Sequence, residues 1–177
     1  MCWSAISRST RCTSKSTTAA SRCWRCTSRW PSTCAIVAAV KINTDLERVG
    51  DLAINIAEAA RQYAGHPPVK RLIDIPRMAT IAQTMLRDAL DAFVRRDMVL
   101  AEAVLAADDT LDALKTQIFR ELLTYMLQAP ETIEPALDLI LISRHLERIG
   151  DHATNVAEDV IFMVLAKDVR HHAAEGN

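Results

Sequence analysis

"DLERVGDLAINIAEAA" (residues 45–60) returns one hundred residues later as "HLERIGDHATNVAEDV" (145–160). The two stretches share Leu46/Leu146, Glu47/Glu147, Arg48/Arg148, Gly50/Gly150, Asp51/Asp151, Ala53/Ala153, Asn55/Asn155, Ala57/Ala157 and Glu58/Glu158, so charged and small residues repeat along with apolar ones. Neither contains proline or strand-like alternation, and Leu146, Ile149, Ala153, Val156 and Val160 follow the three-and-four spacing of one helix face. Glu147, Asp151, Asn155 and Glu158 advance by four, four and three residues, which places them within a stripe of roughly 80° on a helix. Glu47, Asp51, Asn55 and Glu58 repeat that stripe.

Outward from the motifs, the chain from Ala35 is rich in Ala, Leu, Ile, Val, Glu, Asp and Arg and almost without glycine, which predicts an all-α protein. A first helix is expected over 35–64, stopped by Gly65 and the prolines of His66-Pro67-Pro68, with a linker over 65–76. A second covers about 77–95 with Met78, Ile81, Met85, Leu86, Ala89 and Phe93 on its apolar face. Asp97 is a natural N-cap for a third, which runs to about 127 with Val99, Val104, Leu111, Leu114, Ile118, Leu122 and Met126 as its core face. Pro130 interrupts the chain. A last helix over about 131–166 carries Leu137, Leu141, Leu146, Ile149, Ala153, Val156 and Val160, and residues 168–177 form a tail. Three antiparallel helices over 77–167 with short turns make an up-down-up bundle.

The near-zero net charge hides a division. Before Asp45 there is no acidic residue, and Arg8, Arg11, Lys15, Arg22, Arg25, Arg29 and Lys41 give that part a charge of about +7. From Asp45 onward, 14 basic residues face 22 acidic ones. All five cysteines (Cys2, Cys12, Cys23, Cys26, Cys34) and all three tryptophans lie within residues 1–34. The odd cysteine count and the lack of an apolar signal-peptide core argue against a secreted disulfide framework. No apolar run reaches the length of a membrane span, so a cytoplasmic location without membrane insertion is expected.

Residues 1–34 are nearly all Ser, Thr, Arg, Cys and Trp without periodicity, which predicts a disordered leader. A basic arm for nucleic acid and a zinc site built on Cys23-x-x-Cys26 with Cys12 and Cys34 are weaker readings: the body is acidic, the cysteine spacing fits no standard zinc module, and no histidine lies nearby. The composition is also that of a GC-rich coding region translated out of frame. With G/C-ending codons, "RCWRCTSRWPSTC" (22–34) shifted by one base yields LLALHQPVAVDLR on one choice of codons, an ordinary amphipathic segment.

Two carboxylates one helical turn apart can hold a hard or borderline cation, above all when a neighbouring helix adds oxygen ligands. "ADDTLDAL" supplies Asp108 and Asp112 at the same spacing on the preceding helix. The candidate metal ligands are therefore Glu47, Asp51, Asp108, Asp112, Glu147 and Asp151, with Asn55, Asn155, Glu58 and Glu158 as additional donors. The competing reading is a solvated face whose acids pair with Arg48 and Arg148. Gly50 and Gly150 favour a built site, since each costs about 1 kcal/mol in a helix interior and is kept where a neighbour approaches closely. His145 and His152 read as surface histidines, the methionines 78, 85 and 126 as core, and Ser143 has no base partner for nucleophilic chemistry.

"KINTDLERVGDLAINIAE" and "LISRHLERIGDHATNVAEDVIFMV" resemble the paired signature stretches of the PhoU family, phosphate-specific transport accessory and regulatory proteins. The resemblance extends over 35–167, including "IPRMATIAQTMLRDALDAFVRRD" and "LLTYMLQAPETIEPALDLI". It implies two PhoU-like three-helix bundles, the second complete and the first reduced here to its last helix, 35–64. It implies multinuclear clusters of divalent or iron-type metal ions on E(D)-x-x-x-D motifs, which map onto Glu47 with Asp51, Asp108 with Asp112, and Glu147 with Asp151. It further implies a non-enzymatic, homodimeric, cytoplasmic protein that negatively regulates phosphate uptake and phosphate-starvation signalling. The implied partners are the ATPase subunit of the phosphate ABC importer and the phosphate-sensing histidine kinase.

The departure from the family lies before Ala35, where two further helices are expected. The out-of-frame product resembles the family's turn into the third helix, so a defective member or a misread frame is one expectation for this chain. A metal-dependent helical-bundle hydrolase is the alternative from another class; di-metal carboxylate enzymes want Glu-x-x-His on two helices, and no such pair is present.

Overall fold

The structure, a computed structural model, describes residues 31–69 and 72–165. The chain divides between Cys34 and Ala35 into two units, and the second holds nearly all of the described residues. The readings placed on residues 1–30 and on the tail lie outside the described residues.

Four long helices account for nearly all of the described chain: α1 (Pro31–Tyr63), α2 (Asp74–Arg95), α3 (Met98–Gln128) and α4 (Ile133–Leu165), with a short 3-10 turn over Pro130–Thr132. No strand occurs among the described residues. Each boundary has a local cause. The last turn of α1 unwinds through Gly65 N–H to the Gln62 carbonyl and His66 N–H to the Tyr63 carbonyl, and Pro67 and Pro68 follow. Arg96 closes α2 in the left-handed region, φ 57° and ψ 39°, with its N–H on the Ala92 carbonyl. Asp97 then turns extended and its carboxylate accepts the Leu100 N–H at 3.2 Å, so α3 starts one residue later on the expected cap. At the far end, the Thr132 hydroxyl donates to the carbonyls of Tyr125 and Ala129, tying the 3-10 turn to the last turn of α3.

Helices α2, α3 and α4 enclose a core of Met78, Ala82, Met85, Ala89, Val104, Leu111, Ile118, Leu122, Leu139, Val156 and Val160, all at most 2% exposed. Three expected core residues are corrected by helix phase. Val99 is 72% exposed, because it stands two residues, or 200°, out of step with buried Ala101. Leu137 and Leu141 are 49% and 43% exposed and share the outer row of α4 with the exposed Arg144 and Arg148.

Helix α1 lies antiparallel along α4. Lys41 meets Asp159 at 3.2 Å, Asp45 meets His152 at 2.9 Å, and His66 stands 4.0 Å from Glu134, so the register holds along the length of both helices. The inward stripe of α1 is Ala38, Ile42, Asp45, Val49, Leu52, Ile56, Ala59 and Tyr63, spaced by four and three throughout. Asp138, His145, His152 and Asp159 recur every seventh residue of α4, and the last two are the ones tied to α1. Polar residues within an otherwise apolar seam fix which residues pair. His152 is thus corrected from a surface histidine to a largely buried one, since its partner Asp45 lies on a helix distant in sequence.

Candidate acidic site

The i, i+4 acidic pairs of α3 and α4 face one another because the two helices pack antiparallel with a glycine at the crossing. A Cβ built on Gly150 would lie 2.4 Å from Leu111 Cδ2, 3.3 Å from Asp108 Oδ1 and 3.6 Å from Met85 Cε. The missing side chain is what lets Leu111 seat and brings Asp108 beside the motif of α4. Asp108, Asp112, Glu147 and Asp151 therefore share one region at the surface between α3 and α4, and Asp112, Glu147 and Asp151 each raise the proton affinity of Asp108. Burial, followed by Asp112, Asp151, Asp109 and Glu147, lifts the Asp108 carboxyl from 3.8 to about 6. Burial, then Glu147 and Asp112, pushes Asp151 in the same direction.

A cation already stands in this group. Lys115, three residues beyond Asp112 on α3, donates from Nζ to Glu147 Oε1 at 2.7 Å and lies 3.6 Å from Asp112 Oδ1. The hydrogen bond to Glu147 holds the ammonium above its ordinary proton affinity, against the opposing effect of burial. Sequence reasoning missed Lys115. Its signal was the i, i+3 spacing from Asp112, which puts both side chains on the surface of α3 that α4 approaches.

The donors do not converge as a metal site requires. Among the described residues no three His, Cys, Asp or Glu side chains come together in a way that holds one ion. The acids are spread over two helices and the most sheltered contact of Glu147 is an ammonium, so the residues as arranged do not fit a metal cluster. Asn155 and Glu158, the additional donors, continue along α4 as half-buried residues.

The other copy of the motif is arranged differently. Glu47, Asp51, Asn55 and Glu58 are all exposed on α1, and among the described residues no atom lies within 4 Å of a Cβ built on Gly50. Ile36, Val40 and Ile54 are 60% or more exposed on the same helix. The structure brings Asp108, Asp112, Glu147 and Asp151 together and leaves Glu47 and Asp51 apart from them.

Ser143 is buried, and its hydroxyl donates to the Ile140 carbonyl at 2.8 Å. No described helix is long and apolar enough to cross a membrane.

Comparison with known proteins matches residues 75–160 to the family model described as the PhoU domain. The chain is 40% identical over 129 residues to the phosphate-specific transport system accessory protein PhoU homolog of Rhizobium meliloti, covering 72% of this chain and 54% of that protein. The homolog of the same name from Aquifex aeolicus is 44% identical over 136 residues, covering 77% and 62% respectively. The crystal structure of PhoU from Pseudomonas aeruginosa superposes with a TM-score of 0.75 at 38% identity, over 78% of this chain and 67% of that one. The chain thus spans a little over half the length of these curated relatives.

Proposed function

The chain belongs to the PhoU family, and on that premise we propose that it acts as a negative regulator of phosphate uptake and phosphate-starvation signalling. It does so by contact with the ATPase subunit of a phosphate ABC importer and with a phosphate-sensing histidine kinase, in the cytoplasm and as a homodimer. The observation that carries this is the conjunction of the paired motif with a long antiparallel α1–α4 seam on a fold shared with a solved PhoU. The relatives' printed role is that of an accessory protein of phosphate-specific transport, and binding to other proteins needs surfaces rather than a catalytic centre. The chain offers such surfaces: the acidic motif of α1 and a row of exposed apolar side chains beside it.

The test is complementation. In a bacterium lacking its own PhoU and carrying a phosphate-starvation reporter, expression of the chain is expected to restore repression in phosphate-rich medium. Full derepression, with the protein present at normal abundance, would defeat the proposal. Co-purification with the importer ATPase or the kinase then separates the two partners.

A further inference from the structure

We propose that the Lys115 ammonium is the resident cation of the acidic group between α3 and α4, occupying the role that the family resemblance gives to a metal cluster and excluding a divalent ion from it. This stands on side-chain geometry alone and is independent of the regulatory role.

Three observations carry it. First, the contact is well made: Nζ to Oε1 at 2.7 Å across two helices, with Asp112 at 3.6 Å on the other side. A charge-assisted hydrogen bond of that length is among the stronger polar contacts a half-buried surface provides. Second, the Glu147 side chain is only 21% exposed and that of Lys115 is 34% exposed, so water screens this pair less than it does a surface ion pair. Third, the carboxylates share a region without converging on one point. No trio of acid, His or Cys side chains among the described residues is disposed to hold an ion, whereas Glu147 and Asp112 both lie within ion-pair reach of the one ammonium. To take Glu147 as a ligand, a divalent ion would have to break the bond to Lys115 and then tolerate an ammonium at its coordination sphere. Two positive centres within about 4 Å repel strongly at protein-surface dielectric.

The remaining acids, Asp108 and Asp151, belong to the same group, with Asp108 Oδ1 lying beside Gly150 of the α4 motif, so one ammonium carries a single positive charge against four carboxyl groups. Removing the ammonium therefore leaves an acidic group with excess negative charge and two helices that can supply oxygen ligands, which is what a hard cation selects.

The experiment uses the full chain and Mn²⁺ as the probe, with binding read by equilibrium dialysis and by the change in Tm on adding the ion. Lys115→Met keeps the aliphatic stem and removes the charge; Lys115→Gln is the second variant should the methionine form fail to fold; Lys115→Arg keeps the charge. The expected result is that wild type and Lys115→Arg bind Mn²⁺ weakly and show no shift in Tm. The uncharged variants bind it at least about tenfold more tightly and gain thermal stability from it. Equal Mn²⁺ affinity in wild type and the uncharged variants would overturn the proposal, and so would the absence of binding in all of them. A measurement on wild type alone adds a check: the ¹⁵N-lysine Nζ resonance of Lys115, identified by its loss in Lys115→Arg, should persist unchanged when Mg²⁺ is added. Its displacement by Mg²⁺ would equally count against an ammonium that excludes the ion.

Discussion

Residues 45–60 and 145–160 share their glycine, their acids and their alanines, yet they live in different surroundings. On α4, Gly150 is covered by Leu111, Glu147 is held by Lys115, and Asp151 feels the acids of α3. On α1, Gly50 faces open space and Glu47 and Asp51 are exposed. The same letters therefore specify what a helix face can accept, and the neighbouring helix decides whether that capacity is used. Both copies nevertheless turn a different stripe toward one another, through Asp45 with His152, and Lys41, one turn before the first copy, meets Asp159 of the second.

The largest test of this contrast is at the residue that covers Gly150. Leu111 is fully buried, and Leu111→Ala is expected to lower stability by about 2 to 5 kcal/mol in urea unfolding, from lost apolar burial and the cavity left behind. Ile54→Ala, on the exposed face of α1 beside Gly50, should cost no more than about 0.5 kcal/mol. If Ile54→Ala matched Leu111→Ala, the outer face of α1 would be covered in solution and the contrast would fail.

The glycines themselves come next. Gly150→Ala places a methyl group against the terminal methyl of buried Leu111, which must turn aside within the core, so a net loss of about 1 to 3 kcal/mol is expected despite the better helix propensity of alanine. Gly50→Ala meets nothing and should instead stabilise by about 0.5 to 1 kcal/mol. Opposite signs in paired Tm measurements sharpen the comparison, and equal signs break it.

A smaller effect separates two aspartates on one helix. Asp45→Ala removes the carboxylate that meets His152 at about 15% exposure and should cost about 1 to 3 kcal/mol, because the imidazole is left without its partner. Asp51→Ala, two turns along and exposed, should change stability by no more than about 0.5 kcal/mol. An equal cost at both positions would mean that the α1–α4 seam does not depend on its polar ties.

The helices were legible in the sequence because their signals are local: Asp97 as an N-cap, the prolines after His66, and the three-and-four spacing of Met78, Met85, Leu111, Ile118, Val156 and Val160 each reflect a constraint within one or two turns. The misplaced core residues were those where two phases compete, as at Val99, or where an apolar residue sits on a third face, as at Leu137 and Leu141. At the site, composition and repetition located the acids, but not their partner. Lys115 meets Glu147 across 32 residues and His152 meets Asp45 across 107, and no spacing rule within one helix reports a contact that exists only after two helices pack. Gly150 was readable as a close approach and Gly50 equally so, although only the first is one, because a single sequence records capacity and not occupancy.

The smallest expected effect concerns the charge of the group that Lys115 leaves unbalanced. With its carboxyl lifted from 3.8 to about 6, Asp108 binds more protons in the folded protein than in the unfolded chain between about pH 4 and pH 6. Stability from this group is therefore greatest at low pH and falls as pH rises through that window, with Asp151 shifted in the same direction. Asp108→Asn removes the ionisation, so it should stabilise the protein at pH 7, by no more than about 1 kcal/mol once solvent screening is allowed for, and should show no such advantage below about pH 4. Asp51→Asn on the exposed copy is the control, with no gain at pH 7 beyond about 0.5 kcal/mol. Urea unfolding at the two pH values decides it. A pH-independent gain for Asp108→Asn would assign the effect to packing beside Gly150 instead of to crowded negative charge, and a loss at pH 7 would show that the ionised Asp108 is held by a cation, in conflict with an acidic group whose one resident cation is Lys115.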